Sequence, residues 1–266
     1  MMREHRALNT ILEPGGITPM YQPICHVDGN DATLAGFECL SRGPRGTNFE
    51  PANVLFDYVR LKREEIVVDR ACISAALSNA PKAAPRLAVN VHASTLGRDA
   101  EFVDFLCETA ATHGFPCSCL TVEIVEHAPP WNSSGFTDAL RRLRAQNIAI
   151  ALDDVGLGQS NFKMMLDVRP DYLKIDRYFV EECDADADRR AVIESIASLA
   201  SHFGAQIVAE GVERIEVRDA LLRFGLNLMQ GYLFGKPLSA QDAAALLEGS
   251  PSRARYVEAT TNLPRP

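Results

Sequence analysis

From about residue 86 onward the chain repeats one unit: a short apolar run rich in β-formers, then a longer stretch with helical period. The runs are "RLAVNV" (86–91), "CLTVEIVE" (119–126), "IAIALDD" (148–154), "DYLKID" (171–176), "QIVAEGV" (206–212) and "LMQGYLFG" (228–235). Helical patterns cover 101–113, 135–146, 158–167, 187–204, 214–224 and 239–248, and 51–80 reads as two more helices. Strict alternation of this kind demands parallel strands joined by crossover helices. Two earlier runs, "PMYQPI" (19–24) and "LAGFECLSR" (34–42), bring the strand count to eight. The segment between them, "CHVDGNDAT", is too short for a crossover and carries Asp-Gly, a hairpin signal. The expected fold is α/β, a TIM-like (β/α)8 barrel with an antiparallel first strand. Residues 1–18 read as a leader, 19–250 as the barrel and 251–266 as a polar, Pro-containing tail.

Active groups of such barrels gather at the C-terminal strand ends. Glu38, Asn90, Glu123, Asp153 with Asp154, Lys174, Glu210 and Gln230 all fall there, each after apolar residues that bury its strand. The pair Asp153–Asp154 is unusual, because neighbours on a regular strand face opposite sides. The expectation is that Asp153 closes its strand and Asp154 already lies in the loop, with Gly156 and Gly158 permitting a tight path.

Five acids and one lysine leave an excess of four negative charges, which two divalent cations would neutralise. Like charges so placed otherwise raise one another's pKa. All-oxygen ligation, with Asn90 offering an amide oxygen, suits Mg²⁺ or Mn²⁺ better than zinc. Two such ions can clamp a phosphodiester and activate water for in-line attack. Asp153 is placed to bridge the two, with Asp154 serving the second.

A net charge of −8 argues against binding a DNA or RNA polymer. Seven scattered cysteines without a secretory signal indicate reduced thiols and a cytoplasmic protein. Cys117 and Cys119 lack the partners of a zinc site. "DADAD" (184–188) opens like a calcium loop but lacks the later Gly and Glu, so it reads as a helix start. No apolar stretch is long enough for a membrane span.

At these residues the chain resembles the EAL-domain phosphodiesterases, which hydrolyse cyclic di-GMP. The resemblance runs through "YQPI" (21–24), "ECL" (38–40), "NVH" (90–92), "EIVE" (123–126), "DDVGLG" (153–158), "KID" (174–176), "AEGVE" (209–213) and "QGYLFGKP" (230–237). The ordered set, over roughly residues 19 to 248, is far more specific than any one motif. It implies that Glu38, Asn90, Glu123 and Asp153 ligate a first metal, and Asp153, Asp154 and Glu210 a second. It implies that Lys174 orients or activates the attacking water. Gln22, Leu40, Arg42 and Gln230 match positions on the substrate side, Glu126 the acid that steadies the loop after the fifth strand, and Glu213 a supporting acid near the substrate. It also implies a homodimer. Cys39, Gly43, His92, Val125, Val155 and Leu157 depart from the family's usual residues, but none removes an implied ligand. The implied activity is metal-dependent conversion of cyclic di-GMP to linear pGpG. The alternative is a non-catalytic receptor for the nucleotide or for a partner protein, although such relatives typically lose metal ligands.

Overall fold

The structure, a computed structural model, describes residues 8–125, 134–156 and 161–248. Eight strands close a barrel in chain order: β1 (Thr18–Asp28), β2 (Asp31–Arg42), β3 (Leu87–His92), β4 (Leu120–Val125), β5 (Ala149–Val155), β6 (Tyr172–Ile175), β7 (Gln206–Ala209) and β8 (Leu228–Gln230). β1 runs antiparallel to both neighbours, pairing Gln22 with Glu38 on β2 and Ile24 with Gln230 on β8. The turn from Asp28 to Asp31 carries Gly29 at φ 58°, the left-handed conformation a tight hairpin demands. The other pairs are parallel, as the alternation requires.

The expected helices form at Ala52–Lys62, Glu65–Asn79, Phe102–Thr112, Ser134–Ala145, Ala187–Phe203, Ile215–Arg223 and Ala240–Glu248. That expected over 158–167 is described as Asn161–Val168. Two short helices, Ala93–Arg98 and Arg177–Val180, are too brief to leave a periodic trace. "DADAD" is indeed a helix start: Asp186 caps the 187–203 helix, accepting from the backbone N–H groups of Asp188 and Arg189. β7 and β8 are shorter than the apolar runs suggested. Gly211 (φ 68°) turns the chain out of the sheet just after Ala209, so the polar end of that motif belongs to a loop.

Both faces of the parallel strands are covered. On β4, Leu120, Val122 and Ile124 are fully buried on the outer face against helices, while Thr121 and Glu123 are buried inside the barrel. Each fully buried aliphatic side chain contributes on the order of 1.5–3 kcal/mol, and this offsets the cost of holding charge in the middle. A smaller cluster joins Ile11 and Ile17 to Leu55, Val59 and Val68, so the segment before β1 packs on the 52–62 and 65–79 helices.

One expectation fails instructively. β5 does not end at Asp153; it continues to Val155, which pairs with Ile175. Between Leu152 and Val155 the register slips, and Asp154 sits at φ 50°. Asp154 therefore lies in a bulge within the strand rather than in the loop beyond it. A bulge breaks the alternation of sides, which lets adjacent carboxylates serve one cluster. Gly156, at φ 111°, follows at once. A Cβ there would meet the Phe179 ring at 2.4 Å. Gly156→Ala is expected to lower stability by about 1–3 kcal/mol, read as a shift in the urea midpoint; an unchanged midpoint would mean that the bulge tolerates a side chain.

Candidate active site

The strand ends deliver their acids to one lysine. Lys174, on β6, is only 1% exposed. Its Nζ lies 2.7 Å from Glu210 Oε1, 2.8 Å from Glu123 Oε2, 3.2 Å from Asp153 Oδ1 and 3.3 Å from Glu38 Oε2. Parallel register explains part of this convergence. Asn90 on β3 pairs with Glu123 on β4, and Glu38 on β2 pairs with Ala88 one inward position below Asn90. Glu38 also accepts from Asn90 Nδ2 (2.9 Å) and Gln230 Nε2 (2.6 Å). β1 lies between β2 and β8 on the closed barrel, and Gln230 reaches Glu38 across it.

The electrostatics follow from burial. Burial by itself would push the Lys174 ammonium down, but Asp153, Glu123, Glu210 and Glu38 hold it well above its ordinary value. Burial pushes Glu123 up to about 8, with Glu38 and Asp153 adding and Lys174 only partly opposing. Burial raises Glu210 well above the usual carboxylate range. Glu38 goes the other way: against burial, the Lys174 ammonium and the amides of Asn90 and Gln230 hold it below its usual value. Asp154 is exposed as a residue, yet its carboxyl, shielded from water and beside Asp153 and Asp176, is pushed up to about 6. One ammonium does not balance this many carboxylates.

A cation-binding geometry is present. Carboxylate oxygens of Asp153, Asp154 and Glu210 lie within 4.8 Å of one another. Asp153 Oδ1 is buried and, apart from its ion pair with Lys174, lacks a hydrogen-bond partner among the described residues. The donors are all oxygen, so the set fits a hard divalent cation. The other expected group, Glu38, Asn90, Glu123 and Asp153, is also brought together, around Lys174 Nζ. A cation there would compete with Lys174 for the same oxygens.

Cavities flank the carboxylates on two sides and meet at Glu38. One, of about 260 Å³, is lined by Leu40, Asn90, His92 and Asp153 among others. The other, of about 230 Å³, is lined by Gln22, Glu210, Glu213, Gln230 and Tyr232. Gln22 donates weakly to Gly235 O (3.4 Å). Arg42, at the end of β2, donates to Ser41 O rather than to a carboxylate of the cluster. Glu213 is exposed, 3.8 Å from Arg177. Glu126, Leu157 and Gly158 lie outside the described residues. Two residues escaped the sequence reading. Asp176, hydrogen-bonded to Asp154, also caps the 177–180 helix through the Tyr178 N–H; its place after Lys174 in "KID" was the available signal. Asp69 is buried beside His92, and nothing in the sequence of its helix singles it out.

The EAL domain model matches residues 5–237. The chain belongs to the EAL domain family. The probable cyclic di-GMP phosphodiesterase PdeG of Escherichia coli is 30% identical over 261 residues, covering 95% of this chain and 50% of PdeG. The cyclic di-GMP phosphodiesterase RocR of Pseudomonas aeruginosa is 30% identical over 249 residues, 90% of this chain and 62% of RocR. The chain thus spans half to under two thirds of these relatives. The manganese and cyclic di-GMP complex of Klebsiella pneumoniae BlrP1 superposes with a TM-score of 0.75 at 25% identity, covering 86% of this chain and 58% of BlrP1.

Because Glu123 and Asp154 hold protons more tightly in the fold than in an unfolded chain, the stability they contribute is complete in acid. It is lost as pH rises through about 6 and about 8. A cation that needs them ionised reverses this. In chelator, the melting temperature is expected to fall between about pH 6 and pH 8.5, and saturating Mn²⁺ to raise it more at the higher pH. A Mn²⁺ increment that is equal at both ends would contradict the assigned ligands.

Proposed function

We propose that this EAL domain is a metal-dependent phosphodiesterase that hydrolyses cyclic di-GMP to linear pGpG. The reading is carried by one observation: Glu38, Glu123 and Asp153 from three strands, and Glu210 just after a fourth, converge on Lys174, with Asp154 beside them. The implied ligand set is complete among the described residues, which favours an enzyme over a receptor. Asp153, Asp154 and Glu210 would hold one Mg²⁺ or Mn²⁺ ion, and Glu38, Asn90, Glu123 and Asp153 a second. Bound there, the ions supply Lewis-acid polarisation of the phosphate and a more acidic water.

The chain's own residues do the rest. Lys174, kept protonated by its neighbours, is a hydrogen-bond donor and not a base, and it orients the attacking water through Nζ. That water adds to phosphorus as the bond to the leaving ribose oxygen breaks; the water gives up a proton to solvent and the ribose oxygen takes one up, opening the ring at one phosphodiester. Gln22 and Gln230 offer amides on one side of Glu38 and Leu40 lines the other, while Arg42, at the end of the same strand as Leu40, is suited to pair with a phosphate. Glu213, paired with Arg177, supports the mouth of the first side, and Glu126 is assigned to the loop after β5. These residues all fall within 19–250, the unit we take as the catalytic domain.

Incubation with cyclic di-GMP and Mg²⁺ or Mn²⁺, followed by chromatography, is expected to yield pGpG. Glu38→Ala and Lys174→Ala should each lower the rate at least about a hundredfold with the fold retained by circular dichroism. Tight nucleotide binding without pGpG would make the protein a receptor instead.

We also propose a cytoplasmic homodimer. Phe162 and Leu166, one turn apart on the 161–168 helix, are 68% and 63% exposed, an apolar pair suited to a second copy. No helix among the described residues is long and apolar enough to cross a membrane. Sedimentation should show a dimer that Leu166→Glu dissociates; a wild-type monomer would remove this part of the proposal.

A further inference from the structure

An Asp–His pair beside the carboxylates takes no part in the chemistry above. Asp69, 2% exposed on the 65–79 helix, accepts three hydrogen bonds. They come from His92 Nδ1 (2.8 Å), the His92 backbone N–H (3.0 Å) and Thr95 Oγ1 (2.6 Å). A carboxylate only accepts, so the ring hydrogen is held on Nδ1. In that tautomer Nε2 is the ring's acceptor. That nitrogen is buried and has no partner among the described residues. An orphaned buried acceptor costs about 1–3 kcal/mol, so a partner for it is needed from elsewhere.

The cavity supplies the place. His92 lines the 260 Å³ space together with Glu38, Asn90 and Asp153. Cys39, Phe56, Cys72, Ile73 and Val89 add carbon and sulfur to the lining, and Ser41 and Arg60 add polar groups. The Phe56 ring stands 5.9 Å from that of His92. A cavity that sets apolar side chains beside a buried, unpartnered Nε2 suits a flat ring bearing an N–H edge. Phosphate oxygens have no hydrogen to offer Nε2.

We propose that His92 Nε2 accepts a hydrogen bond from the N–H edge of one guanine of the cyclic dinucleotide, and that Asp69 is the positioning residue that fixes the tautomer. This rests on the phosphodiesterase reading. It makes His92 a determinant of base preference: guanine presents N1–H, whereas adenine presents an acceptor at N1, which would face Nε2 unfavourably.

Two substitutions separate this role from packing. His92→Asn keeps an N–H for Asp69 and deletes the Nε2 acceptor. Asp69→Asn keeps an oxygen for the His92 backbone and Thr95, but donates to Nδ1 and so moves the ring hydrogen to Nε2. Binding of cyclic di-GMP and cyclic di-AMP would be measured by calorimetry in Ca²⁺ buffer, beside turnover in Mg²⁺ and thermal melting. Each variant is expected to weaken cyclic di-GMP binding about five- to tenfold and raise KM in proportion, with a smaller effect on kcat. Neither should weaken cyclic di-AMP binding, and Asp69→Asn, which turns an Nε2–H toward adenine N1, should tighten it, so that the preference for guanine narrows. If His92→Asn does not fold, Asp69→Asn decides. Unchanged cyclic di-GMP affinity, or equal losses for both dinucleotides, would overturn the inference while wild-type pGpG formation stood. A wild-type protein that neither binds nor cleaves cyclic di-GMP would overturn the function first.

Discussion

A buried ammonium surrounded by carboxylates organises this barrel. Lys174 is almost wholly removed from water, a position that disfavours its charge, and four acids restore it. A single charge left unpaired in such surroundings would cost several kcal/mol. The arrangement therefore stands or falls as a unit. It is also unbalanced, because the acids outnumber the lysine, and the raised carboxyls of Glu123, Glu210 and Asp154 register that excess. A protein optimised only for stability would not gather charge in this way. The excess makes sense as a demand for cations and for a substrate that comes with them.

The barrel meets the demand through register. Glu38, Asn90 and Glu123 come from three successive strands whose pairing sets them at neighbouring levels. Gln230 reaches Glu38 because β1, running against its neighbours, closes the ring between β2 and β8. Asp153 and Asp154 reach one cluster through a bulge that breaks the two-residue period of β5. Gly156 then keeps the backbone close to Phe179. Helices around the outside bury the aliphatic faces that hold these strands against the repulsion at their ends.

Much of this was legible in the residues. Alternation of short and long apolar periods specifies the barrel, and the Asp-Gly in a nine-residue link specifies the reversed first strand. Acids after buried runs mark the strand ends, and charge counting leads to divalent cations. What stayed hidden depends on tertiary geometry. The bulge at Asp154 is a register slip against β6, and no property of "ALDDVG" alone distinguishes it from a strand that ends. The part played by Asp69 is invisible because an acid on a helix reads as solvated until packing against His92 buries it. Asp176 sat in a quoted motif, but its bond to Asp154 needs the β5 and β6 ends side by side. The short helices 93–98 and 177–180 have too few residues for a period to show.

Urea unfolding of Lys174→Met in chelator at about pH 8 tests the central claim most directly. The methionine keeps the volume of the lysine stem and removes the charge that holds the carboxylates. The account predicts a loss of about 3–5 kcal/mol, smaller near pH 5 where the acids take up protons, and partly recovered by adding Glu123→Gln. A Lys174→Met protein as stable as the wild type at pH 8 would contradict it.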